Sequence, residues 1–146
     1  MGINAFGQWT YKHQKAEAEV TGRRVVVVNT PGWQKNSTAF SPEQDIVYWV
    51  CQCPPGPHAL LLVTNMCSSF TDPQWRSVER RMGLLGETAW KHTMVLFTGA
   101  DILQGTIIEH MIKDKGKSLQ NILSKCGNRY HIFNNKNRGM AIRSKS

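Results

Sequence analysis

Three short runs of this chain are apolar almost without a break: Val25 to Val28, Ala59 to Val63, and TMVLFT from Thr93 to Thr98. A strand with one face in water alternates apolar and polar side chains, whereas a strand covered on both faces does not. Runs this short read as buried strands rather than helices, and RYHIF (129–133) reads as the last strand. Ahead of the first run, EAEV (17–20) and RRVVVV (23–28) flank Thr21-Gly22. That spacing predicts a hairpin in which an edge strand leads into a buried one.

Helix signals separate the strands. Ser41-Pro42-Glu43-Gln44 offers a capping serine, proline at the first helical position and a glutamine to close the box, predicting a helix from about Pro42 to Val50. CPPGPH (53–58) breaks it. Thr71-Asp72-Pro73-Gln74 caps a second helix, with Trp75, Val78, Met82 and Leu85 on one face and Gly86 at its end. Ile107, Ile108, Met111 and Ile112 form a third amphipathic stretch. Leu119, Ile122 and Leu123 form a fourth, stopped at Cys126-Gly127 with the glycine placed as C-cap. Strands alternating with helices predict an α/β fold, a mostly parallel sheet with flanking helices.

The 146 residues are about one domain's worth of chain, and 40% apolar with 19% charged residues is the composition of a folded globule. No apolar run approaches the ~20 residues of a membrane helix. MGINAFGQW lacks a basic segment followed by an apolar one, and Phe6 stands where a myristoylation motif needs Ser or Thr. A cytoplasmic protein without a membrane span is the expectation. Cysteines 51, 53, 67 and 126 show no CxxC spacing and are expected to be free thiols. Cys51, Cys53 and His58 lack the usual zinc spacing, so no metal site is assigned. The net charge of +8 and pI of about 9.6 raise nucleic-acid binding. Arg23-Arg24, Arg80-Arg81 and the tail KNRGMAIRSKS lie in different elements without interleaved aromatics. A solvated surface with a basic tail is expected, and no specific nucleic-acid partner.

In parallel α/β sheets ligands bind beyond the carboxyl ends of the strands. Those ends read NTPG after Val28, TNMCSS after Val63, TGAD from Thr98 to Asp101, and NNKN after Phe133. An aspartate there can accept two N–H bonds from a guanine edge, and asparagine both donates and accepts.

In this order, QKAEAEVTGRRVVVVNTPGW, CPPGPHALLLV, FTDPQWRSVERRMGLLG, KHTMVLFTGADIL and KCGNRYHIFNNKNR resemble the immunity-associated GTPases. This is the GIMAP or immune-associated nucleotide-binding family, with an AIG-type G domain among the P-loop GTPases. The resemblance runs from about Lys15 to Arg138. It implies a G domain that binds GTP or GDP with magnesium, hydrolyses slowly, and associates with related G domains across the nucleotide face. NTPG stands where the family has DTPG. Asn29 thus replaces a carboxylate that holds a magnesium-bound water, while Thr30 and Gly32 keep the phosphate-side turn. Thr10 aligns with the switch threonine, although the flanking WTYKH diverges. Thr98 and Asp101 of TGAD fall in the base-reading segment, with Asp101 at the position that takes the guanine N1–H and exocyclic amine. Asn134 matches the second guanine loop. Gly99 departs from a long basic side chain that packs on the base. Ser69 stands in place of an arginine, so no catalytic residue is assigned.

A phosphate loop, G-x-x-x-x-G-K-[ST], is not found in the 146 residues. Gly116-Lys117-Ser118 imitates its end, but the earlier glycine position is Met111 and no strand precedes it, so it is a decoy. The expected architecture is therefore a P-loop GTPase-like sheet lacking the first, phosphate-loop strand and the last helix. Residues 1–14 are a divergent N-terminal segment, 15–135 a partial AIG-type G domain, and 136–146 a basic tail. Two origins fit: an internal segment from a truncated gene product or incomplete gene model, or a degenerate member whose sheet has re-paired. The expected function is guanine-nucleotide binding with weak or absent hydrolysis. The alternative is a non-catalytic interaction module that oligomerises with complete family G domains.

Overall fold

A computed structural model describes residues 14–30, 42–67, 72–99 and 108–133. The chain divides between Pro57 and His58 into two units.

In the first unit β1 (Gln14–Val20) pairs antiparallel with β2 (Arg23–Asn29), as the hairpin pattern predicts. Val20 stands opposite Arg23, so the loop is Thr21-Gly22 alone, with φ of 52° and 74°. Two consecutive positive φ values are what a two-residue turn needs to match the twist of its strands. Glycine adopts them freely, while β-branched Thr21 is strained there. Burial departs from expectation. Val25 is exposed and Val26 to Val28 are only half-buried. Among the described residues β2 has β1 as its only strand neighbour, and its valines alternate between two faces. Val26 and Val28 are the register partners of Glu17 and Lys15, so one of those faces is charged. Glu17 accepts from Arg24 Nη2 at 2.6 Å, and this guanidinium holds its carboxyl below the usual range. Helix α1 (Pro42–Cys51) follows, burying Ile46 and leaving Val47 and Tyr48 exposed. Ser41, its expected cap, lies outside the described residues.

The second unit contains β3 (Leu60–Asn65), α2 (Asp72–Leu85), a 3-10 turn (Glu87–His92), β4 (Thr93–Thr98), α3 (Ile108–Asp114), α4 (Lys117–Lys125) and β5 (Tyr130–Ile132). Its strands are all parallel, in the order β3-β4-β5. Central β4 meets the expectation of a buried strand, with Val95 and Phe97 at 0% exposure. Edge strand β3 does not. Leu61 and Val63 are 51% and 46% exposed, so its apolar run marks a strand with one uncovered face. Among the described residues the ladder of this unit is β3-β4-β5, and that of the first unit is β1-β2.

The helices follow their sequence signals. Trp75 and Met82 are the buried residues of α2, and Gly86 at φ 88° ends it. Leu119, Ile122, Leu123 and Cys126 are all buried on one face of the α4 region. Its end has the two bonds of a glycine-closed cap: Gly127 N–H to Ser124 O (2.9 Å) and Asn128 N–H to Leu123 O (2.8 Å), with Gly127 at φ 61°. Gly116-Lys117-Ser118 opens α4 directly after α3, and Ser118 donates to Asp72 Oδ1 at 2.8 Å. The phosphate-loop imitation is thus a bond between the first turns of two helices. The 3-10 turn was not foreseen, since ETAWKH carries no periodicity. Trp90 anchors it, 4% exposed, and Arg129 donates to Trp90 O (2.8 Å) and Thr93 O (3.2 Å), tying the start of β5 to the start of β4.

Replacing the strained residue of the hairpin should strengthen it. Thr21→Asn keeps a polar turn and suits positive φ, and is expected to stabilise the protein by about 1 kcal/mol in urea unfolding. An unchanged or lower midpoint would show that Thr21 is not strained.

Candidate functional site

Parallel pairing brings the carboxyl ends of β3, β4 and β5 to one rim. Asn65 and Thr98 are register partners there, and parallel partners project to the same face. Beyond them Met66 N–H donates to Thr98 O at 2.9 Å, extending the contact by one residue, and Phe133 N–H donates to Phe97 O at 2.7 Å. Met66 is buried while Asn65 and Cys67 face solvent.

The rim is closed by a side chain. Asn65 Oδ1 accepts the Cys67 N–H at 2.8 Å. Its amide also covers Gly99. A Cβ at Gly99 would stand 2.7 Å from Asn65 Oδ1, 3.3 Å from Cγ and 3.5 Å from Nδ2. Gly99 has φ 73°, so its backbone disfavours a side chain as well. The glycine that departs from the family pattern therefore fits its surroundings: Asn65 fills the space beside its Cα. The Cys67 thiol lies 3.8 Å from Gly99 O.

Thr98 is buried, with Oγ1 3.4 Å from Thr64 O. Thr64 is also buried, and among the described residues its own hydroxyl has no hydrogen-bond partner. Deeper in the unit, burial pushes the Cys126 thiol up, opposed in part by the Arg129 guanidinium. Burial and the Glu109 carboxylate push up the Tyr130 phenol. Both groups are neutral at physiological pH. All four cysteines are free.

Of the guanine-side residues, Thr98 stands on this rim, whereas Asp101 and Asn134 lie outside the described residues. On the phosphate side Asn29 ends β2 opposite Gln14 and half-buried Thr30 follows it, both in the first unit. Gly32 and Thr10 lie outside the described residues, as does Ser69. Sequence reasoning named TNMCSS as a strand end but missed Asn65 as the partner of Gly99. The signal it could have used was an amide at the last position of a strand, beside a strand followed at once by glycine.

Gly99→Ala is expected to destabilise the protein by about 2 kcal/mol, combining positive-φ strain with the hydrogen bond lost when Asn65 is displaced. In an Asn65→Ala background the cost should fall to about 1 kcal/mol, from strain alone. Equal costs in the two backgrounds, measured by urea unfolding, would show that the residues are not coupled.

The AIG1 family model matches residues 5–145. The chain is similar to GTPase IMAP family member 8 of Homo sapiens, 30% identical over 125 residues that cover 82% of this chain and 19% of that protein. It is similar to the Mus musculus protein of the same name, 32% identical over 128 residues, 87% of this chain and 18% of that protein. Immune-associated nucleotide-binding protein 5 of Arabidopsis thaliana is 26% identical over 119 residues, 79% of this chain and 40% of that protein. The chain thus spans about a fifth of the length of the mammalian relatives.

Proposed function

The chain belongs to the AIG1 family, and on that premise we propose that it binds guanine nucleotide, with residues 15–135 as its G-domain part and hydrolysis weak or absent. The observation that carries the reading is the rim. Two parallel strand ends lie side by side, and TGAD leaves the second of them through buried Thr98. Asp101, three residues on, supplies a carboxylate that accepts the N1–H and exocyclic amine of guanine, a pair of donors adenine does not present together. Asn134, directly after Phe133, supplies an amide from the third strand end. The names of the relatives, GTPase and nucleotide-binding protein, point the same way.

The phosphate side is weaker. Asn29 and Thr30 offer neutral oxygens at the end of β2, and Gly32 a backbone N–H. Magnesium prefers carboxylate and phosphate oxygens, so these residues do not fit it, and no step is assigned to a metal. Thr10 adds at most another neutral hydroxyl. With Ser69 in place of an arginine, no side chain is assigned to transition-state charge.

A second reading is favoured by the exposed Leu61 and Val63 on edge strand β3. It is an interaction module that associates with complete G domains of the family and performs no hydrolysis. Co-purification with such a relative supports it; a monomer that ignores the relative counts against it.

Titration with fluorescent GDP tests the first reading. Micromolar or weaker binding is expected, equal with and without magnesium. Asp101→Ala should cost about 2 to 4 kcal/mol, as for loss of charged hydrogen bonds. Tight, magnesium-dependent binding would overturn the assignment of Asn29, and binding indifferent to Asp101→Ala would overturn that of Asp101.

A further inference from the structure

We infer that β3 is the contact of a symmetric dimer: two copies of this chain pair their β3 strands antiparallel about a two-fold axis through Leu62, joining two three-stranded sheets into one.

The edge of β3 is open in backbone and in side chain. Among the described residues β4 is its only strand neighbour. Met66 N–H points at β4, donating to Thr98 O at 2.9 Å, and successive residues of a strand turn their N–H and C=O groups to opposite sides. Those of Leu61 and Val63 therefore face away from β4. The same two residues carry the exposed apolar side chains of the strand. Backbone groups turned outward beside apolar side chains are a template for another strand.

Charge selects the occupant. The chain has a net charge of +8, so most of its surface repels a second copy. Of the described edge strands, β1 carries Lys15, Glu17 and Glu19, β2 carries Arg23 and Arg24, and β5 follows Arg129 and contains His131. Charges of this kind guard an edge against pairing. Strand β3, LLLVTN, has no ionisable side chain. Two copies can meet there without setting like charges against each other.

Register selects the axis. With the two-fold at Leu62, Leu61 of each copy stands opposite Val63 of the other, a hydrogen-bonded pair on both sides of the axis with its side chains on one face. An axis at Val63 would set Leu61 against Asn65, and an axis at Leu61 would set Val63 against Ala59. The central register alone matches the exposed side chains with each other. The strand has 6 residues, against the roughly 20 to 30 a side of a stable interface, so a weak dimer is expected, with a Kd on the order of 50 μM.

Sedimentation equilibrium of the whole chain, from about 2 to about 200 μM around that Kd, tests the inference. Leu61→Lys or Val63→Glu alone sets a charge against an apolar side chain of the other copy, and each is expected to weaken the dimer at least about tenfold. Leu61→Lys and Val63→Glu together, on one chain, set opposite charges face to face on both sides of the axis. That double variant is expected to return to within about threefold of the wild-type Kd at low salt and to weaken again at high salt. Both positions are exposed, and urea midpoints close to the wild type's should show that the variants are folded. A wild type that stays monomeric overturns the inference, as does a dimer indifferent to both single variants, or a double variant as impaired as the singles. A monomer that co-purifies with a complete relative overturns it too, while leaving the interaction-module reading in place. The inference does not rest on guanine binding, and GDP titration of the same samples keeps the two readings apart.

Discussion

Parallel pairing on both edges of Thr93–Thr98 is the constraint on which the sheet unit depends. A parallel neighbour cannot be reached by a tight turn, so each connection must cross over and carry helix. Between β3 and β4 that crossover is α2 with the 3-10 turn; between β4 and β5 it is α3 with α4. Burial follows from the same fact. With a strand on each side β4 has no edge, and Val95 and Phe97 are wholly covered. Met82 of α2 and Leu119, Ile122 and Cys126 of the α4 region are buried to the same degree, as the covering layers of such a sheet must be.

Parallel strands also put like ends together, and that creates the rim. Thr98, Asn65, Gly99 and Phe133 meet there because three chain segments exit in one direction, although Asn65 and Thr98 stand far apart in sequence. The hairpin unit obeys a different rule. Its antiparallel strands are joined by two residues, and β2 ends at Asn29 with half-buried valines behind it. The residues assigned to the base and those assigned to phosphate thus belong to structurally distinct units. Against the family pattern the two proposed sets differ: Asn29 stands where the pattern has an aspartate, while Asp101 keeps the aspartate of its segment.

Element type was legible where local chemistry decides it. Gly86 and Gly127 stop helices because each adopts a positive φ, and Thr21-Gly22 turns a hairpin for the same reason. Burial was less legible, because it depends on neighbours. The valines of β2 and the leucines of β3 look as apolar as β4, yet Val25, Leu61 and Val63 are exposed, since each strand lacks a second neighbour among the described residues. The 3-10 turn escaped notice because its anchor, Trp90, is held by Arg129 of a distant segment. Asn65 escaped for the same reason: only the β3–β4 register places it beside Gly99. For the base-reading segment, Thr98 is placed by the sheet, whereas the roles of Asp101 and Asn134 rest on the family pattern.

We propose above that a guanine base is held at the carboxyl rim of β3 and β4. Amide chemical shifts of the isotopically labelled protein, followed during addition of GMP and separately of CMP, test it most directly. GMP is expected to move the amides of Met66, Cys67, Thr98, Gly99 and Phe133 in a saturable way, and CMP to leave them in place. Shifts confined to other residues, or equal responses to the two nucleotides, would contradict it.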